Sequence, residues 1–273
     1  MKRISSADNP HYKALRRLVQ SSQERKKTGL SVLDGARLVA AYREQGGTPE
    51  EIVISNSAGA DPQVQALLQD MPGSQLLVLS DALFAGLSSV ATPTGILAVV
   101  RTPRPQPLPQ EMDACVMLEG LQDPGNLGSI LRTCAGAGVR HVLLSRDAVH
   151  AWSPRVLRAA MGAHFALQIH EHVDLAQAAA AFPGKRIATD RHAVRSLYDV
   201  DLTGRVALLF GREGSGLTLR LKQAADEVVA IPMPGGIESL NVAAAAAVCL
   251  FERVRQLSAL GDRSSTASGK GGS

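Results

Sequence analysis

From residue 115 to about residue 257 the chain repeats one rhythm, a short apolar run, a turn and a helical stretch. Apolar runs at 115–118, 141–144, 167–170, 186–189, 206–210 and 228–231 read as strands. Stretches at 127–137, 154–161, 175–181 and from Leu240 to about Leu257 read as helices, with one further short helix before 228. Strands this short and this uniformly apolar leave neither face for water, and parallel neighbours need crossovers long enough to carry a helix. The pattern therefore predicts an α/β unit whose parallel sheet is covered on both faces. A smaller α/β unit precedes it. It comprises a basic helical stretch over 11–27, an apolar run at Ser31-Val32-Leu33, a helix near Ala36–Glu44, and strands at 52–55, 76–79 and 96–100.

Between the two, residues 102–110 read TPRPQPLPQ. Pro103, Pro105, Pro107 and Pro109 remove backbone donors that a sheet would need, and favour an extended connector. The expected organisation is a first unit over 1–104, a proline-rich linker over 105–112, a second unit over 113–261, and a tail over 262–273. That tail is rich in Ser, Gly and Thr, so little burial offsets its ordering entropy, and it is expected to be disordered. Charge is divided unevenly. The first 43 residues hold ten Lys and Arg against three acids, whereas the rest of the chain holds 19 against 22. A basic end of this kind suits an acidic partner, nucleic acid first, because clustered cations release counterions from a phosphate backbone. A solvated helix face has the same composition.

Cys115, Cys134 and Cys249 are far apart and each sits in an apolar or Ala-rich stretch, so neither a disulfide framework nor a zinc spacing is visible. A reducing cytoplasm is the expected compartment. The opening Met1-Lys2-Arg3 leads into polar residues, and no apolar run approaches the roughly 20 residues that span a bilayer, so no membrane association is expected.

Three loops of the second unit follow a strand and open a helix, the place where open α/β sheets bind ligands. The first, 118–128, reads LEGLQDPGNLG and leads to Arg132. Asn126 has the chemistry of a helix N-cap and Arg132 falls on the first turns of the helix. A capped helix with an exposed arginine would read the same way. The second, 208–217, reads LLFGREGSGL; its glycines permit close backbone approach, but it lacks the Lys-Ser/Thr of a phosphate-cradling loop and the dinucleotide spacing. The third, 231–242, reads IPMPGGIESLNV. Here Ser239 reads as a cap for the closing helix, and Asn241 as an early helical residue with no packing task.

Together the three segments resemble the SpoU/TrmH family of RNA ribose 2′-O-methyltransferases, of the SPOUT class, over about 116–256. Asn126, Gly128 and Arg132 match the first family motif, and Gly211, Glu213, Gly214 and Gly216 match the second. Ile231-Pro232-Met233 and Ser239 to Val242 match the third. The amino-terminal unit, through Ser5, Asn9-Pro10, Lys13, Leu18, Arg25, Val32 to Gly35 and Arg37-Leu38-Val39, resembles the family's substrate-binding domain, a small α/β ribosomal-protein-like RNA-binding domain; Asp34 stands where Glu is usual.

The resemblance implies a SPOUT-type parallel sheet flanked by helices with a deep trefoil knot, an exception to the rule against threaded loops. It also implies S-adenosylmethionine (SAM) held by Gly211, Ile231 and Leu240, with Phe210, Met233 and Val242 beside them, and a homodimer packed through the knot region and the C-terminal helix. The implied reaction carries the methyl of SAM to a ribose 2′-hydroxyl, with Arg132, Asn126, Glu213, Ser239 and Asn241 as the catalytic group and no metal. Family proposals make Arg132 the general base. Because an arginine ordinarily keeps its proton, two roles stand open for it, a base or a phosphate clamp.

Beyond the pocket, Arg16, Arg17, Arg25, Lys26 and Lys27 are expected to dock RNA, joined by Arg155 and Arg158 on one helix face. Aromatic residues make up only 3% of the chain, so phosphate and shape recognition is expected to outweigh base stacking. His170 and His172 face one way on an ideal strand, but no third ligand is near in sequence, and no metal site is expected. Ribosomal RNA is the expected substrate. A tRNA ribose methyltransferase and a catalytically silent ribosome-assembly factor of the same fold are the alternatives; a nucleotide-binding protein using Gly211 to Gly216 is disfavoured by the missing phosphate-loop fingerprints.

Overall fold

The structure, a computed structural model, describes residues 1–88, 92–104, 106–109 and 111–268. The chain divides into two compact units, Met1–Arg104 with His150–Phe165, and Pro105–Val149 with Ala166–Ser273. The excursion of His150–Phe165 into the first unit is not legible in composition.

In the first unit, strands β1 (Lys2–Ile4), β2 (Leu30–Asp34), β3 (Glu51–Ser55), β4 (Gln75–Leu79) and β5 (Ile96–Arg101) form one sheet in the order β1-β4-β3-β5-β2. The first three neighbours are parallel; β5 runs antiparallel to both β3 and β2. Helices α1 (Pro10–Gln20), α2 (Ser22–Thr28), α3 (Ala36–Glu44), α4 (Pro62–Gln69) and α5 (Asp81–Ala85) connect them. Tyr12, Leu15 and Leu18 of α1 bury one helical face against Val32, Val53, Leu77 and Val99.

The basic stretch expected as one helix over 11–27 is two. Ser21 is the break: its hydroxyl accepts from the Glu24 amide at 3.2 Å, so the Ser-x-x-Glu sequence starts a new helix. A second consequence is a correction. Arg25, expected among the RNA-docking cations, is buried, and its Nη1 donates to the carbonyls of Leu18 and Val19, each at 2.8 Å. These are carbonyls at the end of α1 that have no intrahelical partner, so the guanidinium caps that helix and does not face solvent. Burial pushes its pKa down.

Helix α7 (Pro154–Ala160) belongs to this unit and packs on β2. Ser153 caps it, with Pro154 at its first position. Beyond it His164, 2% exposed, sits edge-on to Trp152 with ring centroids 5.0 Å apart, and its Nε2 is 2.8 Å from the Ala151 carbonyl. A carbonyl only accepts, so Nε2 carries the proton. Burial drives the pKa of His164 down to about 4.

The second unit holds seven parallel strands, β6 (Ala114–Leu118), β7 (His141–Ser145), β8 (Gln168–Val173), β9 (Lys185–Thr189), β10 (Arg195–Ser196), β11 (Val206–Phe210) and β12 (Glu227–Ala230). Their order is β10-β12-β9-β11-β6-β7-β8. One face packs Cys115, Met117, Leu143, Ala207 and Leu209 with α8 (Leu175–Ala181) and α9 (Leu219–Gln223). The alternate residues Val116, Leu118, Leu208 and Phe210 point to the other face and are equally buried. Helices α6 (Pro124–Gly136) and α10 (Val242–Ser268) pack on each other, and α10 reaches β11. Burial on both faces is why these strands read as continuous apolar runs.

Two details depart from expectation. Helix α10 runs to Ser268, through most of the stretch expected as a disordered tail, because extending a formed helix adds a backbone bond per residue without a new nucleation cost. Residues 269–273 of that tail, and Pro105 and Gln110 of the linker, lie outside the described residues. The two histidines of β8 do not share a face. The pairing of β7 with β8 shifts register between Leu143 and Ser145, and His172 has φ +62°, so His172 is exposed while His170 is buried and stacked on His141. Among the described residues no helix is long and apolar enough to cross a membrane, and no group of three or more His, Cys, Asp or Glu side chains converges as a metal site would require.

Candidate functional site

Strands β9, β11 and β12 end at one edge of the sheet, and a cavity of about 440 Å³ opens there. Its walls come from the end of β9 (Thr189 to His192), the loop after β11 (Gly211 to Gly216), the loop before α10 (Ile231 to Asn241) and the first turn of α10. All six residues expected at the cofactor line it: Phe210, Gly211, Ile231, Met233, Leu240 and Val242. Glu213, Ser239 and Asn241 of the expected catalytic group line it too.

The loop after β11 closes on itself, with Arg212 N donating to the Gly216 carbonyl at 3.1 Å and Gly216 N returning to the Arg212 carbonyl at 3.0 Å. Gly211 must be glycine for that closure. A Cβ there would lie 2.1 Å from the Gly216 carbonyl carbon and 2.2 Å from Leu217 N.

Asn126 is not the N-cap of α6. Asp123 is: it precedes Pro124, and its Oδ1 accepts from the Asn126 amide at 2.7 Å. The Asn126 side chain is thereby released to bridge loops. Its Nδ2 donates to Glu213 Oε1 at 2.8 Å, and its Oδ1 accepts from Asn241 Nδ2 at 2.9 Å. Asn241 in turn accepts the Ala243 amide at Oδ1, 2.9 Å, which makes Asn241, rather than Ser239, the residue that caps α10. Both ends of this chain fix its direction. A carboxylate only accepts and a backbone N–H only donates, so each amide has one permitted orientation. One file of hydrogen bonds therefore runs from the α10 backbone through Asn241 and Asn126 to Glu213, joining all three motif loops. Glu213 Oε2 and Ser239 Oγ have no hydrogen-bond partner among the described residues and remain open to a ligand.

Arg132 lies on α6, is exposed, makes no hydrogen bond or ion pair among the described residues, and is not in the cavity wall. Around the cavity the charges pair. Lys222 bonds Asp190 and holds its carboxyl below the usual carboxylate range; Arg191 lies 3.7 Å from Glu238. Arg212 bonds Asp147, whose carboxyl is held low by the Ser145 hydroxyl first and by Arg212 after it. None of Asp147, Asp190, Arg191 or Lys222 stood out in the sequence. The usable signal for Asp190 was its place just beyond a strand of an open parallel sheet.

Of the other cations, Arg16, Arg17, Lys26, Lys27 and Arg155 are exposed and Arg158 is half-buried, all in the first unit.

Residues 113–251 match the SpoU rRNA Methylase family, and residues 9–98 match the MRM3-like substrate binding domain. The chain is 34% identical over 263 residues to an uncharacterized tRNA/rRNA methyltransferase of Synechocystis, covering 93% of each. It is 29% identical to the 23S rRNA (guanosine(2553)-2′-O)-methyltransferase RlmP of Bacillus subtilis, covering 92% of this chain and 98% of that one. The AdoMet-bound rRNA methyltransferase of Sinorhizobium meliloti superposes with a TM-score of 0.82 at 27% identity, over 94% of this chain and 98% of that chain. A family match across the parallel-sheet unit, and a relative aligned along nearly the whole chain, place the same residues that build the cavity within one lineage: the chain belongs to the SpoU rRNA methylase family.

Proposed function

We propose that this protein transfers the methyl group of SAM to a ribose 2′-hydroxyl of ribosomal RNA. The observation that carries the reading is the file Asn241–Asn126–Glu213, which ties the three motif loops together at a cavity walled by the expected cofactor residues. The walls fit the group. Ile231, Met233, Leu240 and Val242 offer apolar surface, the Gly211 to Gly216 loop offers main-chain groups, and about 440 Å³ lies within the usual range of small-molecule sites. SAM, when bound, supplies a sulfonium methyl already activated for transfer, so the protein's part is positioning and charge.

Glu213 Oε2 and Ser239 Oγ are the open polar atoms that would meet a ribose hydroxyl. Asn126 holds the Glu213 carboxylate by its other oxygen, and Asn241 holds Asn126. Arg132 has five donors and no acceptor, and with no carboxylate partner among the described residues it suits a phosphate of the RNA; we assign it as a clamp that aligns the target ribose. The knot, and the homodimer through the knot region and α10, belong to the same reading. Phe251 on α10 is 51% exposed beside Gly136 of α6, an apolar surface that a second copy would cover. Three buried free cysteines suit a reducing cytoplasm. RNA docking falls to the exposed Arg16, Arg17, Lys26, Lys27 and Arg155, with Arg158 beside them.

The test is incubation of ribosomal RNA with labelled SAM, followed by nucleoside mass spectrometry. A 2′-O-methylnucleoside is expected; label on a base, or on tRNA alone, contradicts the proposal. Near-normal turnover by Arg132→Ala removes Arg132 from the catalytic group.

A further inference from the structure

Arg212 and Glu213 are adjacent in the loop after β11, yet their side chains are anchored in different places. Glu213 reaches Asn126 on α6. The Arg212 side chain crosses the loop after β6, so closely that a Cβ on Gly120 would lie 2.2 Å from its Nε, and its Nη2 bonds Asp147 beyond β7. Gly120, at φ +64°, leaves room for that crossing. The receiving end is built rather than incidental. Ser145 Oγ donates to Asp147 Oδ1 at 2.5 Å and accepts from Gly120 N at 2.8 Å, and Gln122 Nε2 bonds the Asp147 carbonyl. Loops after three neighbouring strands, β7, β6 and β11, are thus joined through one guanidinium.

The loop it holds needs holding. Gly214 and Gly216 adopt φ +93° and +68°, and a segment with three glycines has more conformational freedom to lose than a segment of its length without them. The Arg212 to Gly216 backbone pair closes the loop on itself but does not fix where the closed loop points. Within Gly211 to Gly216 two side chains do, Arg212 toward Asp147 and Glu213 toward Asn126. Removal of the first leaves Glu213 on Asn126, with the Glu119 carboxylate holding Thr218 at the far end of the loop by its backbone N–H and its hydroxyl, at 2.7 and 2.8 Å.

We propose that Arg212, seated on Asp147, is a positioning residue: it fixes the Glu213 carboxylate against Asn126 and through it the Asn126–Asn241 file. It acts through Glu213 and needs no contact of its own with substrate. Its kinetic consequence rests on the proposed function, whereas its structural consequence does not.

Both consequences are measurable on the full chain. In the ¹⁵N-labelled protein the Asn126 and Asn241 side-chain amides should exchange slowly with solvent. In Arg212→Ala and Asp147→Asn they should exchange like solvent amides, while Arg212→Lys keeps part of the protection. In methyl transfer to RNA, Arg212→Ala should lower kcat by about ten- to a hundredfold, the range expected when a reacting geometry slips by an ångström or less, with SAM affinity by calorimetry changed less than about threefold. Arg212→Ala combined with Glu213→Gln should be no slower than Glu213→Gln alone, because both act at one point. Unchanged amide exchange in Arg212→Ala overturns the inference whether or not the protein methylates RNA. So do losses that multiply in the double variant, or a loss of SAM affinity equal to the loss in kcat. Slow exchange that depends on Arg212 in a protein with no methyl transfer would instead contradict the proposed function and leave the positioning role standing.

Discussion

Two corners of the molecule are built from polar side chains reaching across a break in the backbone, and they end differently. At the α1–α2 corner, Arg25 is buried and its Nη1 donates to two carbonyls of the preceding helix. At the three-loop cluster, Asn241 and Glu213 are exposed and Asn126 is half-buried; they bond one another in a fixed order and stop with Glu213 Oε2 unpartnered among the described residues, beside a cavity. Both arrangements satisfy polar groups that folding would otherwise strand. Only the second leaves an acceptor over. A charged side chain bonded to backbone inside the fold serves stability, and one in a file that ends on an open atom at a cavity is available for chemistry.

That distinction can be broken by substitution. Asn126→Ala removes both the donor to Glu213 and the acceptor for Asn241, and should lower kcat by about a hundredfold or more, while the midpoint of chemical denaturation moves little because the pair is exposed. Arg25→Ala should do the reverse. It strips two charge-assisted hydrogen bonds from buried carbonyls and should cost about 2–4 kcal/mol in denaturant titration, with kcat near normal where the protein stays folded. If Arg25→Ala instead left stability intact and weakened RNA binding, the corner would be a docking surface after all.

A third prediction uses pH. His164 in the folded protein titrates at about 4, below the ordinary histidine value of 6.5. Above pH 6.5 it is neutral in both the folded and the unfolded chain and contributes no pH dependence. As pH falls from 6.5 toward 4 the unfolded chain takes up a proton that the folded one refuses, and stability should fall by about 3 kcal/mol across that window. His164→Leu, followed by denaturant titration at pH 7 and pH 4.5, should flatten this slope. The smallest effects belong to the exposed cations. Arg16→Ala or Arg17→Ala should leave stability within about 0.5 kcal/mol and lower the slope of log RNA affinity against log salt by about one each.

Much of this is legible in the amino-acid sequence. The α/β alternation located the parallel sheet because burial on both faces writes an unbroken apolar run; Val206–Phe210 and Leu175–Ala181 coincide with β11 and α8. Among the elements missed, two have a pattern too short to register: β1 is Lys-Arg-Ile on a sheet edge, and β10 has two residues. Charge counting failed at Arg25 because composition treats every cation as solvated, and only a helix break at Ser21 turns Arg25 inward. The cap of α6 was misplaced because Asn126 and Asp123 are both good caps, and Pro124 decides between them. The bonding of Asn126 to residues 87 and 115 positions away is a property of strand order, which local pattern does not encode. The same holds for Arg212 and Asp147, 65 positions apart.

The central claim is that the Asn241–Asn126–Glu213 file is the working centre of a ribose methyltransferase. The most direct measurement compares nucleoside mass spectra of ribosomal RNA treated with SAM and either the unaltered protein or Asn126→Ala, with SAM binding to both measured by calorimetry. The account predicts a 2′-O-methylnucleoside made by the first and nearly abolished in the second at similar SAM affinity. A methyl group on a base, or undiminished ribose methylation by Asn126→Ala, would contradict it.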